Sequence, residues 1–222
     1  MSFHYSPNLV TNGLVLCYDP ANTKSFVSGS TTLFDLTSSK DDGSLINGPT
    51  FNSENGGSIV FDGVNDYVGI NSNANILSNT TYTKIAWFYV TSFATDNNII
   101  SAGSSGQHAF WLFTSNKLNA GHNGNWNTVV STTTLSLNRW YYGAVTFNTT
   151  TGWVLYLNGI QEATSASTTT FIGSGTLSIG SYQNVGNYFT GRIANSLVYN
   201  RVLSAVEILQ NYNAVKSRFG LK

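Results

Sequence analysis

The chain has little charge, and the charge that it has is balanced. Asp, Glu, Lys and Arg make up only 9% of the 222 residues, and ten basic residues offset ten acidic ones. Proteins that bind nucleic acid or an acidic membrane surface use clusters of Lys and Arg, so this composition predicts no nucleic-acid partner. No stretch approaches the roughly 20 apolar residues of a membrane-spanning helix, which predicts no membrane insertion either.

Cysteine and targeting signals are equally scarce. Cys17 is the only cysteine, which excludes an intramolecular disulfide. It lies between Leu16 and Tyr18 in an apolar segment, and we expect a buried, unreactive thiol there. The opening residues, MSFHYSPNLV, contain neither the basic region nor the apolar core of a secretory signal peptide. The sequence therefore predicts synthesis in the cytoplasm without a secretion signal.

Aromatic residues and short turns are abundant. The chain contains 13 Phe, 12 Tyr and 5 Trp, and apolar residues alternate with polar ones between Asn-Gly and Asp-Gly dipeptides, which favour tight hairpin turns. Many short strands with regular turn signals, and no alternation of strands with helices, indicate an all-β sandwich or barrel. Strands are predicted near residues 13–18, 58–62, 66–71, 82–91, 97–102, 108–114, 117–121, 127–131, 140–148, 152–158, 160–164, 175–180 and 188–199.

One helix is predicted near the end of the chain. Ser204 and Glu207 have the spacing of a capping box, in which each residue's side chain binds the other's backbone amide. Val206, Leu209 and Tyr212 would then face the sandwich. We divide the chain into an N-terminal arm (residues 1–12), one β domain (13–213) and a C-terminal tail (214–222).

The residues needed for catalysis are missing from this pattern. Cleavage of a glycan commonly uses two carboxylates about 5–10 Å apart, but Glu54, Glu162 and Glu207, the only glutamates, lie in three separate predicted elements. No serine lies in a G-x-S-x-G elbow. We expect no catalytic residues and no enzymatic activity.

A calcium site is one alternative for the loop after the second predicted strand. Asp62, Asn65 and Asp66 offer two carboxylates and an amide within five residues, and calcium prefers oxygen ligands. The same residue types commonly bind backbone amides in turns, so a purely structural role is the other interpretation. No other cofactor is indicated.

Two predicted loops have the composition of a carbohydrate site, where aromatic rings stack on sugar rings and neutral amides bind hydroxyl groups. The first contains Trp126 with His122, Asn123 and Asn125. The second contains Tyr182 and Tyr188. The alternative is that Trp126 closes one end of the sandwich while the amides satisfy turns.

The other tryptophans lie within strand patterns. Trp87 and Trp111 are flanked by apolar residues, whereas Trp140 follows Arg139 and Trp153 follows Gly152 at a turn. We expect most of the four to pack in the core or between the sheets.

Four segments in order resemble the laminin-G-like domains of the concanavalin A-like lectin group. Residues 139–162, RWYYGAVTFNTTTGWVLYLNGIQE, resemble the characteristic hairpin of these domains. The others are GLVLCYDPAN (13–22), GGSIVFDGVNDYV (56–68) and FTGRIANSLVYNRVLSAVEILQNYN (189–213). The resemblance implies an antiparallel jelly-roll of two curved sheets that binds glycans or proteins, often with calcium at the rim.

The closing segment also resembles structural proteins of bacteriophages and marine viruses. This resemblance implies a non-enzymatic protein of the virion, such as a decoration, fibre or tail component, assembled in the host cytoplasm. Its partners would be other virion proteins, cell-surface glycans, or both, and fibre and decoration proteins often form homo-oligomers. The alternative is a free or secreted lectin module that acts outside the cell; a glycoside hydrolase is less expected.

Overall fold

The computed structural model describes residues 7–70 and 76–221, and almost all of its regular structure is antiparallel β. A single α-helix, α1 (Ala205–Val215), and two 3-10 turns, Glu54–Gly56 and Lys216–Phe219, complete the described part. The strands are β1 (Leu14–Tyr18), β2 (Thr32–Leu33), β3 (Gly43–Ile46), β4 (Thr50–Asn52), β5 (Ser58–Asp62), β6 (Tyr67–Ile70), β7 (Thr81–Val90), β8 (Asn97–Asn98), β9 (Ile100–Ala102), β10 (His108–Phe113), β11 (Lys117–His122), β12 (Asn125–Val130), β13 (Trp140–Asn148), β14 (Gly152–Leu157), β15 (Ile160–Ser165), β16 (Leu177–Ile179) and β17 (Thr190–Tyr199).

The strands form two facing layers. The back sheet has eight strands in the order β15-β14-β13-β7-β17-β5-β4, with β1 also paired to β17. The front layer consists of a five-stranded sheet, β2-β3-β6-β16-β9, and a four-stranded sheet, β12-β11-β10-β8. The two sheets of the front layer meet where the Ile99 amide donates a hydrogen bond of 3.0 Å to the Phe110 carbonyl. The predicted antiparallel sandwich with two layers is therefore confirmed, with a front layer that is divided in two.

Local patterning determined most strand positions. The meander β13-β14-β15 is antiparallel, with one register shift at Leu155 and Tyr156 of β14, and each strand begins and ends within one residue of its predicted bounds. Strands β2, β3 and β4 were not predicted. They have only two to four residues each, too few for an alternating pattern to be visible.

The main core lies between the two layers and is rich in aromatic residues. Phe88, Phe110 and Phe147 are fully buried in it, and burial of such side chains is the main favourable contribution to folding. Strand β7 is buried on both faces, because its other face carries Ile85 and Trp87 into a second cluster behind the back sheet. As predicted, Cys17 is buried, and burial raises the pKa of its thiol to about 12.

The core also encloses a basic network. The Lys84 amino group donates to His108 Nδ1 at 2.8 Å and to the Ile100 carbonyl at 3.1 Å, and His108 Nε2 donates to the Thr176 carbonyl at 3.1 Å. Both side chains are fully buried. Loss of hydration lowers the pKa of Lys84 and of His108 well below their usual values.

The C-terminal helix has the predicted cap but a different buried face. The Ser204 hydroxyl accepts from the Glu207 amide at 3.3 Å, and the Glu207 carboxylate accepts from the Ser204 amide at 2.9 Å. The prediction that Val206 and Leu209 face the sandwich is wrong, since they are 76% and 43% exposed. The helix instead buries Ile208, Asn211 and Val215.

A polar residue in the buried stripe explains this error. The Asn211 side chain accepts from the Val10 amide at 2.8 Å and donates to the Tyr199 hydroxyl at 3.0 Å. A buried amide is tolerated when its hydrogen bonds are satisfied, but it interrupts the apolar spacing from which the helix face is predicted. Tyr212 does face the back sheet, and its ring stacks on Trp87 with centroids 5.6 Å apart.

Both described chain ends pack behind the back sheet. In the tail, the Phe219 ring stacks on Trp87 at 4.2 Å, and Arg218 forms an ion pair with Asp19 at 2.9 Å. In the arm, the Val10 carbonyl accepts from the Tyr199 hydroxyl at 2.8 Å. Within the described ranges, no helix is both long enough and apolar enough to cross a membrane.

Candidate functional site

The outer face of the four-stranded front sheet carries the candidate site. Side chains alternate along β10, so His108, Phe110 and Leu112 point into the core while Ala109 and Trp111 lie on the outer face. The neighbouring strand β12 contributes Trp126 to the same face.

The predicted loop of residues 121–127 is instead a tight hairpin. Asn123 and Gly124 adopt positive φ angles of 51° and 83°, as a two-residue turn requires. The ladder between β11 and β12 therefore reaches the turn, where His122 pairs with Asn125. Trp126 consequently lies on a strand, where the backbone fixes the direction of its side chain.

A close approach at Gly121 shapes this hairpin. The register of β11 and β12 shifts between Ala120 and His122, and a Cβ at Gly121 would lie only 2.0 Å from the Asn125 carbonyl oxygen. Such irregularities change the direction of neighbouring side chains. Next to this shift, the Trp126 carbonyl accepts a hydrogen bond of 2.9 Å from Trp111 Nε1, which joins the two tryptophans.

The loop after β16 forms the second wall of a small open cleft. Tyr182 meets Trp126 edge-to-face, with ring centroids 5.2 Å apart and an angle of 64° between the ring planes. The Gln183 amide donates to the Ala102 carbonyl of β9 at 2.7 Å, and the Gln183 side chain donates to the Gly106 carbonyl, so the loop is tied to the front layer. The cleft has a volume of about 80 Å³ and is lined by Asp96, Asn98, Ala109, Trp111, Trp126, Tyr182 and Asn187.

The polar groups of the cleft differ in their free hydrogen-bonding capacity. Both ends of the Asn98 side chain are occupied, by the Asn187 carbonyl and the Ser101 hydroxyl. Asp96 is half-buried; burial raises the pKa of its carboxyl, while a hydrogen bond from the Thr114 backbone opposes the rise. A carboxylate has about four acceptor positions, so Asp96 retains capacity for further donors.

Two of the six residues predicted for carbohydrate binding, Trp126 and Tyr182, line this cleft. His122 was an incorrect choice, because it is only 2% exposed. Its Nε2 accepts from the Tyr82 hydroxyl at 2.9 Å, and its Nδ1 donates to the Thr169 carbonyl at 2.8 Å. Burial lowers the pKa of His122 to about 3.

The other three predicted residues lie outside the cleft lining. The Asn123 side chain binds the Thr170 carbonyl and the Ile172 amide and so holds a neighbouring segment. Asn125 is exposed at the start of β12, and Tyr188 is half-buried.

Sequence reasoning missed Asp96 and the outward position of Trp111. Every residue of the segment HAFWLF except His108 is apolar, so alternation alone does not show which face is outward. The paired strand β11 indicates which face of β10 is outward, since Trp111 lies opposite Asn119 and Phe113 lies opposite Lys117.

The residues predicted to hold calcium serve the turn instead. The Asp62 carboxylate accepts from the amides of Val64 at 2.8 Å and Asn65 at 3.3 Å. The Asp66 carboxylate accepts from the Asp62 amide at 3.1 Å and is 4% exposed. Among residues 7–70 and 76–221, no group of three or more His, Cys, Asp or Glu side chains is placed to hold a metal ion. The hydrogen bonds of Asp62 and Asp66 are those that the structural alternative predicts, and the calcium site stays a prediction.

A larger groove, of about 430 Å³, lies at one end of the back sheet beside Arg139 and Trp140. Its aromatic rings are engaged within the protein, because Trp140 contacts Phe219 at 4.5 Å and the Arg192 guanidinium lies 4.2 Å from the Tyr89 ring. The cleft at Trp126 is therefore the better candidate for a ligand.

Comparison with known proteins gives a consistent fold. The family model described as the concanavalin A-like lectin/glucanases superfamily matches residues 62–209. A comparison with curated protein sequences found no match.

Two of the similar solved structures are carbohydrate-active proteins. Trypanosoma rangeli sialidase in complex with sialic acid has a TM-score of 0.70 and 16% identity, over 95% of this chain and 34% of the sialidase. The chain thus spans about a third of that enzyme's length. Domain 4 of AbnA, a GH43 extracellular arabinanase from Geobacillus stearothermophilus, in complex with arabinotriose, has a TM-score of 0.69 and 14% identity, over 90% of this chain and 98% of that domain. At such identities these likenesses show the fold alone.

Proposed function

We propose, from the premise that the chain belongs to the concanavalin A-like lectin/glucanases superfamily, that it is a carbohydrate-binding module without catalytic activity. Its binding site in this proposal is the cleft between Trp126 and Tyr182.

The observation that carries the proposal is the meeting of two rings from distant segments at an open cleft. Trp126 and Tyr182 lie 5.2 Å apart beside Trp111, with a carboxylate and amides at the same opening. Sugar rings have apolar C–H faces and polar edges, so they suit a site that combines aromatic surface with a few fixed polar groups.

The similarity to domain 4 of AbnA gives additional support. That domain has almost the same extent as this chain and was solved with arabinotriose. Because fold does not determine function, the proposal rests mainly on the cleft.

The distribution of carboxylates supports a role in binding without turnover. Glycoside hydrolysis commonly needs two carboxyl groups flanking the scissile bond, and Asp96 is the single carboxylate among the residues that line the cleft. Glu54 pairs with Arg192, Glu162 accepts from Thr132 and Thr133, and Glu207 caps α1. Burial raises the pKa of Tyr182, which makes a tyrosinate nucleophile less accessible.

A glycan array followed by affinity measurements tests this proposal. Purified protein is applied to neutral and acidic oligosaccharides, with calcium and with a chelator, and the strongest ligand is then titrated by calorimetry. We expect Trp126→Ala and Tyr182→Ala each to weaken binding at least tenfold. Tyr188→Ala, in the same segment but outside the cleft, serves as the matched control and should bind normally. Absence of binding to any glycan under both conditions would overturn the proposal.

We also propose the surface of a virus particle as the setting in which the module works. The support is the resemblance of residues 189–213 to viral structural proteins, together with the single cysteine. Mass spectrometry of purified particles from an infected culture should detect the protein at stoichiometric abundance. Its absence from particles and its presence in the medium would favour a free lectin instead.

A further inference from the structure

The cleft has a one-sided charge. Its lining combines one carboxylate, Asp96, with amides and aromatic rings, and contains no Lys, Arg or His. Lys117, which lies opposite Phe113 on β11, is on the same face of this sheet but is not among the residues that line the cleft.

Several other cations of the described chain lie away from the cleft lining. Arg192, Arg201 and Arg218 form ion pairs with Glu54, Glu207 and Asp19. Lys84 is buried in the core, and Arg139 lines the groove on the back sheet. A ligand in the cleft therefore meets one negative charge, and none of the residues that line the cleft carries a positive charge.

Asp96 is also placed to select hydroxyl groups. Its carboxylate is half-buried beside Trp111 and Trp126, where the effective dielectric constant is lower than in water and charge interactions are stronger. A carboxylate accepts strong hydrogen bonds from hydroxyl donors, whereas a carboxylate or sulfate on a ligand offers only acceptors and a like charge.

From this placement we propose that the cleft takes neutral sugar residues, and that Asp96 is the residue that excludes sugars with a carboxylate or sulfate group. This inference rests on the proposed function and adds the class of ligand. The carboxylate supplies acceptors for hydroxyl groups of a neutral sugar, and it repels an anionic sugar in the same position.

Matched pairs of glycans test the inference. Lactose is compared with 3′-sialyllactose, and galactan with polygalacturonic acid, alongside the neutral ligand that binds best on the array and an acidic derivative of it. We expect the wild-type protein to bind the neutral member of a recognised pair at least tenfold more tightly. Asp96→Asn keeps the size and one acceptor but removes the charge, and it should bring the two affinities to within about threefold.

A control carboxylate and a second measurement keep the test decisive. Asp62→Asn changes an exposed aspartate that is not among the residues lining the cleft and should leave the preference unchanged. If Asp96→Asn does not fold, the preference of the wild-type protein is measured in 0.05 M and 1 M NaCl. Salt screens the repulsion between Asp96 and an acidic sugar, so the ratio of the two affinities should be smaller at 1 M NaCl.

The outcomes separate the two proposals. Equal or tighter binding of the acidic member, or a preference that survives Asp96→Asn or high salt undiminished, would overturn the role of Asp96 and leave carbohydrate binding intact. Failure of every neutral and acidic glycan to bind would overturn the proposed function itself, and the inference with it.

Discussion

Both outer faces of the sandwich carry tryptophan, but residues 7–70 and 76–221 cover the tryptophan of the back face more completely than that of the front face. Behind the back sheet, Trp87 is fully buried beneath Tyr212 and Phe219, whose rings stack on it at 5.6 and 4.2 Å. On the front sheet, Trp126 remains partly exposed at the mouth of a cleft. The same residue type thus stabilises the fold on one face and is available to a ligand on the other.

The indole nitrogens of the two faces also differ in their hydrogen bonding. Trp87 Nε1 is buried without a hydrogen-bond partner among the described residues, so this ring contributes through packing alone. Trp111 Nε1 donates to the Trp126 carbonyl at 2.9 Å, and this bond fixes the position of two rings at the cleft. A binding site needs side chains in fixed positions, and directional hydrogen bonds hold them there.

The largest effect is expected from removing the cover of the back face. Phe219→Ala deletes a buried ring from the stack on Trp87 and should lower the free energy of unfolding by about 3–5 kcal/mol. Urea denaturation measures the loss. Affinity for the glycan should stay unchanged while the variant is folded. A loss below about 1 kcal/mol would show that the tail is not a structural part of the back face.

Acid should destabilise the protein through histidines on the inner face of the front layer. His108 and His122 have pKa values lowered from the usual 6.5, to about 3 for His122. For a base with a lowered folded-state pKa, the stability is fully present above pH 6.5 and is lost as the pH falls. Between pH 7.5 and 5 the loss should approach about 2 kcal/mol for His122, and His108 changes the stability in the same direction.

Urea denaturation at these two pH values checks this expectation, above the range in which most carboxylates titrate. His122→Gln removes one titrating group and should reduce the loss between pH 7.5 and 5 by about 2 kcal/mol, even if it lowers stability at both pH values. A pH dependence that is the same in His122→Gln and in the wild type would contradict the assignment.

A pair of glycine variants should show whether the irregular pairing of β11 and β12 is needed for glycan binding. Gly121→Ala forces the Asn125 carbonyl away and should cost about 1–3 kcal/mol of stability and at least tenfold in glycan affinity. Gly186→Ala, in the loop of the facing wall, has open space at its Cβ position and should change stability by less than about 0.5 kcal/mol. Equal affinities for the two variants would show that the irregular β11-β12 pairing does not position Trp126.

The smallest effect is expected at the helix cap. Ser204→Ala removes the acceptor for the Glu207 amide and should lower stability by about 1 kcal/mol, with no change in glycan binding because α1 lies behind the back sheet. Ser204→Asp, which also caps helices well, should restore most of the loss. A change in affinity would indicate coupling between the two faces.

Local sequence determined the elements of this protein. The meander of residues 140–165, the turn at Asn123 and Gly124, and the capping box of α1 follow from side-chain alternation, backbone preferences and contacts over three residues. The sequence also indicated Trp126 and Tyr182 as residues of the candidate cleft, since aromatic rings among amides and glycines are unusual in a core.

Tertiary structure alone decided which faces were covered and which residues met. The burial of His122, the exposure of Val206, the position of Asp96 and the contact of Trp126 with Tyr182 all depend on strands and loops far apart in sequence. Alternation assigns side chains to one of two faces of a strand. Alternation does not show whether a helix, a second sheet or solvent lies against each face, because packing between distant segments determines what covers a face.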